Sequence, residues 1–186
     1  MYYDLKDYIM YVENVVPSEL CDRIVAEYKE CNSWCPAFIA AGEDKSVRNC
    51  DNLSLSLGSV IAQNYDVRQK LDQDLFQCAV NAMALYKAKF PECVIEEDTG
   101  YILLRYTQGG FYHQHTDSFK KEPRAITSSF ALNDDFEGGE FAFFDGELKF
   151  KLAKGSMIMF PANFMYPHEI CEVTKGTRYS VVTWYR

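Results

Sequence analysis

Histidine is scarce in this chain: His113, His115 and His168 are the only three in 186 residues. Long apolar runs are missing too. None approaches the roughly 20 residues a membrane-crossing helix needs, so no membrane partner is expected. The start, Met1-Tyr-Tyr-Asp-Leu-Lys-Asp7, is polar and acidic and does not read as a secretory signal. Basic residues are outnumbered, with 19 Lys and Arg against 27 Asp and Glu and a formal net charge of -8. Such a balance repels phosphate backbones and counts against a nucleic-acid partner. The seven cysteines (Cys21, Cys31, Cys35, Cys50, Cys78, Cys93, Cys171) show no regular spacing. Cys31 and Cys35 stand one helical turn apart, but no second pair exists to complete a zinc site. Reduced thiols in a cytoplasmic protein are therefore expected. Repeats, low-complexity segments and Pro/Gly-rich linkers are absent.

What is present is material for one core. Apolar residues make up 48% of the chain and aromatics 15%, and the length suits a single domain over 1–186. The texture changes near residue 98. Residues 1–97 read as largely helical. Pro17-Ser18 starts a helix with Leu20, Ile24, Val25 and Tyr28 on one face. A longer helix is predicted over 67–90, with Leu71, Leu75, Phe76, Ala79, Met83, Tyr86 and Phe90 at helical spacing and Pro91 as its stop. Both stripes are expected to pack on a sheet.

From residue 98 onward short β runs alternate with turn signals. They cover 101–106, 125–132, 140–144, 148–152, 156–160 and 177–185, punctuated by Gly109-Gly110, Asn133-Asp-Asp, Asp145-Gly146, Pro161 and Lys175-Gly176. The predicted class is α+β, mainly β: a sandwich or barrel with two preceding helices covering one sheet.

Two of the three histidines lie in Tyr112-His-Gln-His-Thr-Asp117. Residues i and i+2 of a strand share a face, so His115 and Asp117 can aim an imidazole and a carboxylate at one point. A distant imidazole, His168, would complete two His and one carboxylate on one side of an octahedral metal, leaving three positions open, as in non-haem iron(II) oxygenases. With 27 acidic residues, three histidines give about 0.4 His-x-acid pairs by chance, so the pair alone carries little weight. Arg178 adds to it. It stands ten positions after His168, past the Lys175-Gly176 turn, where its guanidinium could hold a carboxylate in bidentate fashion.

The second half, roughly residues 98–186, resembles the prolyl 4-hydroxylase-like family of iron(II)/2-oxoglutarate dioxygenases. The resemblance rests on Leu-Arg-Tyr106 with a Gly-rich turn and Tyr112, on His115-x-Asp117, and on Leu132-Asn-Asp-Asp-Phe-Glu-Gly-Gly-Glu140. Pro167-His168 and Arg178-Tyr-x-x-x-x-Trp184 follow in the family's order. It implies a double-stranded β-helix (a jelly-roll barrel), with the N-terminal helices packed on its larger sheet. It further implies Fe(2+) on His115, Asp117 and His168, Arg178 on the distal carboxylate of 2-oxoglutarate, and Tyr106 beside that cosubstrate. O2 is the second cosubstrate and ascorbate a candidate reductant. The implied reaction hydroxylates an unactivated C–H bond and yields succinate and CO2, with a prolyl residue of a peptide or protein as the leading substrate.

The chain departs from some relatives on the strand ending in Leu132-Asn133. Some relatives carry a tyrosine on the strand ending in Leu-Asn that helps bind the distal carboxylate. Here Phe130-Ala131 precede Leu132-Asn133, and Thr127 is the candidate replacement. Trp184 reads equally as an aromatic near the metal or as core packing. His113 is not a family ligand position and reads as surface or as support for His115. The alternatives are hydroxylation of another side chain or of a free amino acid, and a metal-binding β-barrel without turnover. Oligomeric state stays open.

Overall fold

The computed structural model describes residues 4–56 and 64–186. Met1, Tyr2 and Tyr3 of the acidic N-terminal segment therefore lie outside the described residues. Two α-helices stand where the stripes predict them. α1 spans Ser18–Tyr28, and Pro17 directly before it supplies a fixed φ suited to a helix start. α2 spans Tyr65–Lys89 and ends just before Phe90-Pro91. Arg68 of α2 pairs with Glu27 of α1 at 3.1 Å and lies over the Tyr28 ring, fastening the two helices together.

The expectation of a largely helical first half fails in part, because four short strands occur there. They are β1 (Met10–Val12), β2 (Cys35–Pro36), β3 (Arg48–Asn49) and β4 (Asp51–Ser54). At two to four residues each, they are too short to show a period of two. The second half contributes β5 (Ile102–Tyr106), β6 (Phe111–His115), β7 (Ile126–Ala131), β8 (Glu137–Gly138) and β9 (Phe141–Phe143). It continues with β10 (Leu148–Phe150), β11 (Met157–Pro161), β12 (His168–Ile170), β13 (Val173–Lys175) and β14 (Arg178–Tyr185).

These strands form a seven-stranded sheet in the order β1-β11-β7-β14-β5-β4-β2 and a five-stranded sheet in the order β10-β9-β12-β6-β3. β13 and β8 make a separate pair. No closed barrel forms among the described residues, since each sheet ends in unpaired edges.

Side-chain alternation sorts the large sheet into two faces. Leu103, Phe130, Met157, Met159 and Val181 point to one side and join Leu20, Ile24 and Tyr28 of α1 and Leu71, Leu75, Ala79, Met83 and Tyr86 of α2. Phe76, read as part of that stripe, is 50% exposed and turns away from it. Their sequence neighbours Leu104, Ala131, Ile158 and Val182 point the other way and meet Phe141, Phe143 and Ile170 of the smaller sheet. The molecule is thus layered as helices, large sheet and small sheet, and the space between the two sheets is where polar residues collect. No helix among the described residues is long and apolar enough to cross a membrane.

Candidate metal centre and carboxylate pocket

His115 and His168 face each other as direct partners on adjacent antiparallel strands, β6 and β12. Their ring centroids are 4.3 Å apart. Asp117 lies two residues past the end of β6, not within the strand as the i, i+2 argument assumed. The segment after it is tied down instead by hydrogen bonds. Arg124 Nη1 donates to the Asp117 carbonyl at 3.0 Å, and the Ser118 amide donates to the Ala162 carbonyl at 2.9 Å. The Asp117 carboxylate then lies 3.6 Å from His115 Nε2 and 3.5 Å from His168 Nε2. One ligand atom from each of the three residues falls within 4.8 Å of the others, a cluster able to hold a metal ion.

The protonation pattern suits that use. His115 Nδ1 meets the His113 carbonyl at 2.9 Å, and His168 Nδ1 meets the Tyr166 carbonyl at 3.0 Å. A carbonyl only accepts, so each Nδ1 carries the proton and each neutral ring offers the lone pair of Nε2 to the cluster. Burial, aided by the neighbouring His168, pulls the His115 pKa down to about 3. Burial alone would raise the Asp117 carboxyl. The two histidines and the Thr127 hydroxyl outweigh it and hold the group below the usual carboxylate range.

A β-bulge decides the fate of His113. Between the pairs His168–His115 and Ile170–Tyr112, β6 has one residue more than β12. The bulge brings Tyr112 onto His115, with ring centroids 3.4 Å apart. It turns His113 outward, where it is exposed and lies against Phe111. Only the carbonyl of His113 reaches the cluster.

Arg178 opens β14 and is 3% exposed. Its Nη1 donates to Ser180 Oγ at 2.7 Å, and its guanidinium lies over the rings of Tyr106 and Phe141 at 5.2 and 5.5 Å. Tyr106 is its direct strand partner on β5. No carboxylate of the described residues pairs with Arg178, and burial lowers its pKa. A buried cation without an anion is strongly penalised.

Residues quoted only as parts of motifs turn out to build this pocket. Asn133 clamps the backbone on both sides of Arg178: its amide donates to the Thr177 carbonyl and its oxygen accepts from the Tyr179 amide, each at 2.7 Å. Gly139, at φ +68°, lies so close to the arginine that an added Cβ would sit 3.0 Å from Arg178 Cδ. Thr127 does not replace the missing tyrosine beside Arg178. Its hydroxyl donates to Asp117 Oδ2 at 2.7 Å. Trp184 lines the cavity, with the Arg124 guanidinium 3.7 Å from its ring centroid. The cluster, Arg178 and Tyr106 all border one cavity of about 640 Å³.

Residues 101–186 match the family model of the 2OG-Fe(II) oxygenase superfamily. That match takes in a little under half of the chain. The iron(II) and 2-oxoglutarate of the superfamily's name fit the donor set: two neutral imidazoles with a low-pKa carboxylate, and a buried arginine with no carboxylate partner among the described residues. The chain is similar to a PKHD-type hydroxylase of Parvibaculum lavamentivorans, 36% identical over 91 residues that cover 46% of this chain and 41% of that protein. It is also similar to human prolyl 3-hydroxylase 2, 40% identical over 75 residues, 35% of this chain and 11% of that one. The matched stretch thus spans well under half the length of either relative. Among solved structures, it shares the fold of a Trichoplax adhaerens prolyl hydroxylase in complex with a peptide of hypoxia inducible factor. The TM-score is 0.78 at 17% identity, covering 96% of this chain and 83% of that one.

Proposed function

We propose that this protein uses iron(II), 2-oxoglutarate and O2 to hydroxylate a prolyl residue of a peptide or protein. The observation that carries the reading is Arg178, a buried cation with no carboxylate partner among the described residues, in the same cavity as three convergent metal-ligand side chains. In this reading His115, Asp117 and His168 hold the iron. Iron(II), when bound, supplies the O2 chemistry that couples decarboxylation of 2-oxoglutarate to succinate with hydroxylation of the substrate. Arg178, steadied by Ser180 and Asn133, draws in the distal carboxylate, and the buried Tyr106 lies alongside it. Thr127 holds one Asp117 oxygen and so fixes the direction of the carboxylate. Leu104, Phe141, Ile170 and Val182 give the cavity apolar walls that keep water from the reacting groups.

The prolyl substrate is supported by the names of the relatives and by the shared fold, the latter an argument by analogy. The two facing sheets are read as the halves of a double-stranded β-helix. Residues 1–186 are read as one unit, because β1 and β4 pair with strands of the second half. Seven unpaired cysteines agree with a reducing, cytoplasmic setting, and ascorbate is the proposed reductant. The test is succinate formation from 2-oxoglutarate with iron(II) and O2, joined to mass spectrometry for proline gaining one oxygen after co-expression. Asp117→Ala should abolish both signals. Wild-type protein that binds no 2-oxoglutarate would sink the reading.

A further inference from the structure

Arg178 is not the only arginine that faces the cavity. Arg48, on β3, lines the cavity with its guanidinium 4.5 Å from the centroid of the Tyr112 ring, which in turn stacks on His115. Its Nη1 donates to the Phe38 carbonyl at 3.0 Å, fixing the fork. Its Nε–H is buried and has no acceptor. Lys121 and Arg124, from the segment between β6 and β7, line the same cavity. Among the described lining residues the carboxylates are Asp117, in the metal-ligand cluster, and Glu122, which Arg124 Nη2 already holds at 2.9 Å. No carboxylate of the described residues forms an ion pair with Arg48 or Lys121, on a chain whose formal net charge is -8. Phe38 and Phe119 also border the cavity, 56% and 39% exposed. They offer apolar surface that a polypeptide leaving the cavity covers and a free amino acid does not.

We infer that the substrate is an acidic peptide segment, with a carboxylate next to the oxidised residue held by Arg48 and a second acidic side chain met by Lys121. A planar guanidinium lining the cavity is matched by a carboxylate better than by any neutral acceptor, and the local excess of positive charge selects for one. The inference rests on the oxygenase reading and narrows its substrate class.

The test uses anaerobic, iron(II)-loaded protein saturated with 2-oxoglutarate. It is equilibrated with two degenerate peptide pools of equal length around a central proline, one flanked by Asp and Glu and the other by Asn and Gln. Retained peptides are counted by mass spectrometry. The acidic pool should be retained about tenfold more strongly, and added salt should erode the preference. Arg48→Met keeps the apolar stem over Tyr112 and should bind 2-oxoglutarate as wild type does while losing most of the preference. Lys121→Gln, at an exposed position, should lose part of it. Arg48→Lys, which keeps the charge, should retain more of it than Arg48→Met. Equal retention of the two pools by wild type, or a preference that survives in Arg48→Met, overturns the inference. So does displacement of the acidic pool by an equal concentration of free glutamate. Failure of wild type to bind 2-oxoglutarate removes the oxygenase reading, and this inference with it. Because that binding is measured separately, the two failures are told apart.

Discussion

Replacing Arg178 by methionine separates a ligand-binding arginine from a structural one. The side chain is 3% exposed, makes one hydrogen bond to Ser180 and meets no carboxylate of the described residues. Without ligand, its desolvated charge is a cost to the fold, and a hydrophobe of similar volume in such a place is neutral or stabilising. The Arg178→Met protein should therefore melt no earlier than wild type when 2-oxoglutarate is absent. With ligand the sign reverses. A 2-oxoglutarate carboxylate entering the pocket of the variant would be a buried charge without its partner, a loss of about 3–5 kcal/mol. At about 1.4 kcal/mol per factor of ten, affinity should fall by about 10²- to 10³-fold or more. Metal affinity should stay within about twofold of wild type, because His115, Asp117 and His168 are untouched. The assays are calorimetric titration of 2-oxoglutarate into anaerobic, iron-loaded protein and thermal melts with and without the ligand. At a concentration of 100 times its Kd, 2-oxoglutarate should stabilise wild type by about 2.7 kcal/mol, and this gain should vanish in the variant. A variant that binds 2-oxoglutarate as tightly as wild type would refute the reasoning. So would one whose ligand-free form melts several degrees lower, which would make Arg178 a packing residue.

Thr127→Val keeps the shape of the side chain and removes the 2.7 Å bond to Asp117, so metal affinity should drop about tenfold in competition with a chelator. Gly139→Ala puts a Cβ at positive φ against Arg178 and should cost about 1–3 kcal/mol of stability by denaturant titration and weaken 2-oxoglutarate binding as well. Asn133→Ala loses both bonds that clamp the flanks of Arg178; it should destabilise the fold by about 1–3 kcal/mol and bind 2-oxoglutarate less well in the same titration. A chain reduced to residues 98–186 should not fold on its own. It would expose the face of Leu103, Phe130, Met157 and Val181 that α1 and α2 cover, and a stable proteolytic fragment of that length would contradict this.

Much of the site was legible before any fold was known. His115, Asp117 and His168, which the fold brings together, stand out in a chain with only three histidines, and His-x-Asp followed by a distant histidine and an arginine is a pattern of residue types that survives without coordinates. The helices were legible for a similar reason: α1 and α2 are long enough for the 3.6-residue period of their buried faces to show. What sequence could not supply was decided by contacts between distant segments. Of the strands before residue 98, β1, β3 and β4 form on the hydrogen-bonding edges of β11, β6 and β5, and β2 adds to β4; at their length no period announces them. The outward turn of His113 depends on the pairing of β6 with β12, whose one-residue mismatch cannot be seen in either strand alone. Thr127 was placed beside the wrong partner because the register that brings it to Asp117 belongs to the sheet and not to its neighbours in sequence. Arg48 went unnoticed for the same reason. A lone arginine in a two-residue strand is ordinary, and only the fold makes it a feature of the cavity, by setting it over Tyr112.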